Sequence, residues 1–451
     1  MEIAKNKVED KRLSIREKPE ASKNLYIEEK GPEERKLFFV LDPDRPTWAF
    51  INPDGLKILN LCNGKNTIED ISRKIAEEYK IGYEDAYSRI EAFLDYMFDI
   101  EILHKGSKAS KQRGFLSNPF SSLALEITEN CNLRCLHCYL SAGGRKSSDN
   151  YELTLEEIKG LLRSAKEVDA KSVSIGGGEP LLRKDCFQIL EYAVSMDLLV
   201  ALGTNATLIN RKIAKKLSEL QIKIQVSMDG ARRETHDYIR GKGSFDLAVK
   251  GLGNLLKEDM GKDTVIAFTP MRPNVHEVPE IINFALERGV PVIHFPPLSP
   301  SGRAKERWDE LRLLDEEKLW FWDFVSKKAR ELKGKVDILA ECLSIDINTH
   351  GLPQRCSIGS QLRIDPIGNV FPCQCFHYNS EYCLGNIRKQ SLKSMLYGER
   401  IKQIKKDCFQ RPLKIKECRE CPWRNYCGGG CMGNAFEATG TIWNPESCNV
   451  R

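Results

Sequence analysis

The strongest constraint on the fold is an alternation in the middle of the chain. Six short apolar runs, LALEIT, SVSIGGG, LVALGTN, KIQVSMD, TVIAFTP and PVIHFPP, recur between residues 122 and 310. Segments with helical spacing separate them, beginning near Thr154, Lys184, Asn210, Ser244 and Val278. Five strand–helix units and a sixth strand imply a parallel sheet, because right-handed crossovers return each helix to a face of the sheet. The runs are apolar on both sides, as parallel strands covered by helices must be. Polar residues collect at their C-terminal ends: Glu179, Asn205, Ser227 and Asp229. In an α/β barrel that end carries the active site.

The flanking regions read differently. Between residues 21 and 108, KLFFVLD and TWAFIN have the composition of strands, and three helical segments follow, one of them opened by Thr67 and Asp70 at capping-box spacing. This predicts a small α+β domain of winged-helix type. Residues 1–20 are expected to be a flexible charged tail and 109–121 a polar linker. The barrel is expected over 122–310 and a connecting helix over 311–340. Residues 341–451 have little periodicity and are rich in Cys, Gly and Pro, which predicts stability from metal clusters.

A net charge of +5 on 451 residues, with both signs interleaved, gives no electrostatic footprint for nucleic acid. No run of about 18 apolar residues is present, so no membrane span is expected. The first twenty residues have no apolar core and do not read as a secretory signal, which places the chain in the cytoplasm. Sixteen cysteines in a reducing compartment then point to metal binding or thiol chemistry rather than disulfides. They are unevenly spread: one before residue 122, four in the barrel region, eleven after residue 340.

The first group follows the first predicted strand: Cys131, Cys135 and Cys138 in ENCNLRCLHCYLSAGG. A zinc site completed by His137 is one reading, but His137 adjoins Cys138 and the two reach one metal only awkwardly. The C-x3-C-x2-C spacing, with Tyr139 next, resembles the radical S-adenosylmethionine (SAM) superfamily. GGGEP at 176–180, TNATLI and SMDG resemble further motifs of that family. The resemblance implies a partial (βα)6 barrel and a 4Fe–4S cluster held by Cys131, Cys135 and Cys138, its fourth iron chelating SAM. It also implies cofactor contacts from Tyr139, Gly177, Gly178, Glu179, Pro180, Asn205, Ser227, Asp229 and Arg240. Arg303 is a second arginine of the kind that recurs in related enzymes.

Near the C-terminus, Cys356-x11-Gly368-x4-Cys373 precedes Cys418-x2-Cys421-x5-Cys427-x3-Cys431 and Cys448. This resembles the seven-cysteine SPASM pattern. It implies two auxiliary clusters, a distal one on Cys418, Cys421, Cys427 and Cys448, and a proximal one on Cys356, Cys373 and Cys431. Cys342 and Cys375 are the candidates for an eighth ligand; otherwise one iron stays open, available to a substrate thiolate. Cys62, Cys186, Cys383 and Cys408 fit no motif and are expected as buried apolar thiols.

Residues 21–105, with the phrase LNLCNGKNTIEDISRKIAEEY, resemble the PqqD-like peptide-recognition domain. That implies a leader peptide added as a strand along a sheet edge near Trp48–Asn52. Together the resemblances imply a radical SAM maturase of a ribosomally made peptide, with SAM and three 4Fe–4S clusters as cofactors. Its partners would be the precursor peptide and a low-potential donor of ferredoxin or flavodoxin type. Thioether formation is the first expectation and carbon–carbon crosslinking the next. The alternatives are formylglycine formation, tetrapyrrole side-chain chemistry and a non-enzymatic electron carrier or peptide-binding scaffold.

Overall fold

A computed structural model describes residues 14–31, 36–43, 47–105, 120–143, 151–340, 356, 358–377 and 380–446. It divides into two compact units, one built on the described residues up to 105 together with Lys416–Gly428, the other on the rest. Cys342 and Cys448 lie outside the described residues, as do residues 1–13 of the expected tail and most of the expected linker.

In the first unit, β2 (Tyr26–Lys30), β3 (Leu37–Asp42) and β4 (Thr47–Ile51) form an antiparallel meander. β1 (Pro19–Ala21) pairs with β5 (Leu103–Lys105), so part of the expected tail is a strand. The three expected helices are Pro53–Leu61, Ile68–Tyr79 and Tyr83–Asp99. Thr67 and Asp70 form the capping box, with Asp70 N donating to Thr67 Oγ1 at 3.1 Å and Thr67 N to Asp70 Oδ2 at 2.8 Å. Ile58, Leu59, Ile71, Ile90, Leu94 and Met97 bury the inner helix faces, and Cys62 sits among them as an apolar thiol, as expected. β2 was not predicted. YIEEK carries three charges in five residues, and it is a strand only because β3 offers a long edge to pair with.

The outer face of this meander is aromatic. Phe39 lies 5.9 Å from Trp48 and 5.2 Å from Phe50, ring centre to ring centre. Trp423, from the cysteine-rich segment Lys416–Gly428, stacks on Phe39 at 5.3 Å. That segment therefore packs in the first unit, whereas the sequence assigned it to a single C-terminal domain.

The second unit is built on a ten-stranded sheet in the order β12–β11–β10–β9–β8–β7–β6–β13–β14–β15. The six predicted strands are β6 (Ser122–Glu126), β7 (Ser172–Gly176), β8 (Leu199–Thr204), β9 (Lys223–Ser227), β10 (Thr264–Ala267) and β11 (Val292–Phe295). They run parallel in chain order. The sheet goes further than predicted on both sides. After the helix Asp315–Glu331, β12 (Asp337–Ala340) adds a seventh parallel strand, so the 311–340 segment contributes more than a connecting helix. On the other side β13 (Gln361–Ile364) lies parallel to β6, followed by β14 (Asn369–Phe371) and β15 (Gly385–Asn386).

Leu123, Leu125, Val173, Ile175, Leu202, Ile224 and Val226 are buried on these strands, with Ile158, Leu161 and Leu162 of the helix Leu155–Glu167 against them. Full burial on both sides is why the strands read as unbroken apolar runs. Glu126 and Arg363 join β6 to β13 through two hydrogen bonds of 2.8 and 2.7 Å, with both side chains almost fully buried. Among the described residues no helix is long and apolar enough to cross a membrane.

Candidate active site

The three cysteines lie in the loop that leaves β6, held by the helices Arg233–Arg240 and Gly302–Glu306 and by the turn after β7. Leu136 N donates to Ile239 O at 2.8 Å. Arg303 donates Nε to Cys135 O and Nη1 to Ala142 O, both at 2.8 Å. Arg303 thus binds backbone carbonyls and acts as a clamp on the loop. Gly177 and Gly178 pack the GGGEP turn against the same loop. A Cβ on Gly178 would lie 2.2 Å from Asn130 O, and one on Gly177 would lie 2.4 Å from Thr128 O. The glycines are needed there because backbone meets backbone.

Donors surround the sulfurs. Leu133 N points at Cys131 Sγ at 3.4 Å, Asn205 Nδ2 at the same sulfur at 4.0 Å, and Arg240 Nη1 at Cys135 Sγ at 3.9 Å. Asn205 also donates to Asn132 Oδ1 at 2.9 Å, tying the end of β8 to the cysteine loop. Burial pushes the Cys135 thiol up to about 11, with the Arg240 charge opposing. Three thiols ringed by a guanidinium and N–H groups suit a thiolate-held iron–sulfur cluster, whose excess negative charge those donors would carry.

Asp229 anchors the arginine. It is fully buried, accepts from Arg240 Nε at 2.6 Å and from Thr269 N at 2.8 Å, and lies 3.1 Å from His137 Nε2. Burial raises its pKa, but Arg240, His137 and the Thr269 amide outweigh that and hold it below the ordinary value. Burial first, then Arg240 and Arg303, pull His137 down to about 4 against the opposing pull of Asp229, so it is neutral at pH 7. His137 was considered only as a zinc ligand; the structure turns it toward Asp229.

Glu179 is equally engaged. Its carboxylate accepts from Thr204 Oγ1 and Asn205 N at 2.8 Å and from Leu181 N at 3.2 Å. It ties the end of β7 to the end of β8, and Pro180, buried, opens the short turn after it. Ser227 closes β9, its backbone paired with Ala267. Tyr139 is about one-third exposed; its hydroxyl reaches Glu126 Oε1 at 3.4 Å and its ring lies 4.8 Å from that of His377. Burial, with Arg363 adding to it, pulls His377 down to about 3, and its Nδ1 is buried with no hydrogen-bond partner among the described residues. Sequence reasoning missed Glu126, Arg363 and His377, since no spacing links residues more than 230 apart.

The C-terminal cysteines fall in two places. Cys418, Cys421 and Cys427 lie in the first unit on consecutive tight turns, with Cys421 N bonded to Cys418 O and Arg424 N to Cys421 O, both at 3.1 Å. In the second unit Cys356 touches Cys408, while Cys375 touches both Cys373 and Cys431. Cys408 is buried in the apolar core as expected, and it also sits beside the predicted ligand Cys356. Cys186 is buried in the apolar core as expected. Among the described residues no three His, Cys, Asp or Glu side chains converge closely enough for one metal ion; a four-iron cluster spreads its thiolates farther apart than a single ion does.

Comparison with known proteins matches this geometry. A profile of the radical SAM superfamily matches residues 125–285, one of an iron–sulfur cluster-binding domain (SPASM) matches 356–422, and one of coenzyme PQQ synthesis protein D (PqqD) matches 38–103. Mycofactocin maturase MftC of Mycolicibacterium smegmatis is 32% identical over 319 residues, 70% of this chain and 78% of that protein. An AdoMet-dependent heme synthase of Methanosarcina barkeri is 30% identical over 350 residues, 73% of this chain and 96% of that protein. Among solved structures, Streptococcus suis SuiB bound to S-adenosylmethionine superposes with a TM-score of 0.60 at 15% identity, covering 95% of this chain and 99% of SuiB. SuiB bound to its precursor peptide SuiA gives a TM-score of 0.59 at 14% identity, covering 95% and 99% of the two chains.

Proposed function

The chain belongs to the radical SAM superfamily, with a SPASM iron–sulfur domain and a PqqD domain, and from that premise we propose that it joins a cysteine sulfur to a carbon within a ribosomally made peptide. The observation that carries the reading is the presence, in one chain, of the clamped three-cysteine loop and an antiparallel meander whose β4 is an edge strand. A carrier of electrons needs no cofactor pocket at strand ends, and a modifier of small molecules needs no strand edge for a leader.

When bound, the first cluster and SAM would supply the radical chemistry that removes a hydrogen atom from the peptide, and the auxiliary clusters would supply one-electron chemistry for the electron left when carbon and sulfur join. This chain's own residues position and exclude. Cys131, Cys135 and Cys138 would hold the first cluster, and Arg240 and Asn205 direct N–H groups at its sulfurs. We assign Asp229 and Glu179 to positioning, because both are fully buried with their oxygens already engaged. Tyr139, Ser227, Pro180 and the 177–178 backbone are left as the groups that meet SAM. The reaction needs a low-potential donor of ferredoxin or flavodoxin type and a reducing, cytoplasmic setting.

Likeness to the heme synthase supports a second reading, tetrapyrrole side-chain chemistry. One experiment separates the two. The chain is co-expressed with a short cysteine-containing peptide encoded beside its gene, and the peptide is analysed by mass spectrometry after alkylation. Loss of a hydrogen pair with one cysteine protected from alkylation supports the thioether. The same loss with every cysteine alkylated supports a carbon–carbon bond instead. An unchanged peptide, together with consumption of an iron porphyrin by the purified enzyme, would establish the second reading.

A further inference from the structure

The seven-cysteine pattern leaves the proximal cluster one thiolate short, with Cys356, Cys373 and Cys431 as its three. Two further cysteines stand among them. Cys375 has its sulfur in hydrogen-bonding contact with the sulfurs of Cys373 and Cys431, and Cys356 is close enough to act on it electrostatically. Cys408, on the helix Glu399–Lys414, makes its sulfur contact with Cys356. A fourth ligand has to face the other three. Cys375 meets two of them and lies close to the third, whereas the contact seen for Cys408 is with Cys356.

The frame around Cys375 is fixed. Cys431 opens the helix Met432–Thr439, its sulfur accepting from Asn434 N at 3.5 Å and its own N–H donating to Glu446 Oε2 at 2.7 Å. Gly433 in the first turn of that helix lies against Cys375. A Cβ there would come within 2.5 Å of Cys375 O and 2.6 Å of Cys375 Cβ. Cys373 is nearly buried at the end of the β14 region, two residues before Cys375. A strand end and a helix start therefore present the two halves of the site to each other.

We infer that Cys375 is the fourth thiolate of the proximal auxiliary cluster, with Cys356, Cys373 and Cys431, closing the position the pattern leaves open. The inference rests on the reading of this chain as a carrier of auxiliary clusters. It also revises what that cluster can do: a cluster whose four irons each carry one protein thiolate has no open site for a peptide sulfur, so the substrate cysteine does not bind there.

The test uses the full chain with Cys131, Cys135 and Cys138 changed to Ala, reconstituted anaerobically, so that only the auxiliary clusters carry iron. Iron content is measured, and EPR spectra are taken after mild ferricyanide oxidation and after addition of a small thiolate, 2-mercaptoethanol. With Cys375 intact, both four-iron clusters survive oxidation and the reduced spectra do not respond to the thiolate. Cys375→Ala should produce one three-iron signal per chain on oxidation and a thiolate-sensitive spectrum, Cys375→Ser should keep the iron with a shifted spectrum, and Cys408→Ala should change neither. A three-iron signal with Cys375 intact, or a Cys375→Ala chain indistinguishable from its parent, would overturn the inference. So would Cys408→Ala behaving as expected for Cys375→Ala. Failure of the parent chain to bind more than one cluster would instead overturn the auxiliary-cluster reading itself.

Discussion

Replacing Arg240 with Met tests the electrostatic core of the site. The guanidinium lies 2.6 Å from Asp229, with about 10% of the arginine side chain and none of the aspartate exposed. Met keeps much of the volume and removes the charge, leaving a buried carboxylate with the Thr269 amide and a neutral His137. Breaking one side of a buried pair costs about 3–5 kcal/mol. At roughly 2 °C per kcal/mol for a unit of this size, the thermal midpoint should fall by about 6–10 °C.

The penalty should also depend on pH, in a direction that can be worked out. In the native chain Asp229 is held below its ordinary value, so its stabilising effect is present at neutral pH and is lost only in strong acid. In the variant the buried carboxylate is raised instead, and it destabilises at neutral pH. His137 loses a cation that was helping to depress it and rises from about 4. As pH falls, a proton taken up by either group relieves the buried charge. The gap between native and variant midpoints should therefore narrow as pH falls from about 6.5, the ordinary histidine value, to about 4. The assay is scanning calorimetry of the anaerobically reconstituted full chain at one scan rate. A drop under about 2 °C, or a gap unchanged with pH, would refute the assignment of Arg240 and Asp229 as a buried pair steadied by His137.

Changing Cys131, Cys135 or Cys138 to Ala should abolish 5′-deoxyadenosine formation and remove one cluster's worth of iron, with the auxiliary EPR signals retained. Gly178→Ala would place a methyl 2.2 Å from Asn130 O and should lose first-cluster iron, whereas Gly176→Ala, with nothing within 4 Å, should retain it; equal iron contents would show that the turn does not position the cysteine loop. Glu157 is lowered from 4.5 to about 2, chiefly by its hydrogen bonds with Arg388 at 2.6 and 3.0 Å. A depressed carboxylate stabilises above its ordinary value and loses that effect as pH falls toward 2. Arg388→Ala should thus lower the unfolding free energy read by urea titration at neutral pH, by no more than about 1 kcal/mol for so exposed a pair, and the difference should disappear in acid.

Much of this protein could be read from local order. The six strands and the helices between them are set by apolar periodicity, which needs only nearest neighbours, and the Thr67 cap by a three-residue spacing. The cysteine trio was legible for the same reason, since ligands carried on one loop keep their spacing in the sequence. What the tertiary structure decided depends on residues far apart in the chain. Pairing of β13 with β6 brings Arg363 to Glu126 and His377 to Tyr139, and β2 exists only because β3 is there to pair with it. Asp229 and Glu179 were expected as cofactor contacts from their place at strand ends. Only the tertiary structure shows both carboxylates buried and bonded within the chain, to Arg240, Thr204 and backbone N–H groups. The same holds for the C-terminal cysteines. Their spacing identified a class of cluster, but only packing separates Lys416–Gly428 from its neighbours in sequence and sets Cys375 against Cys373 and Cys431.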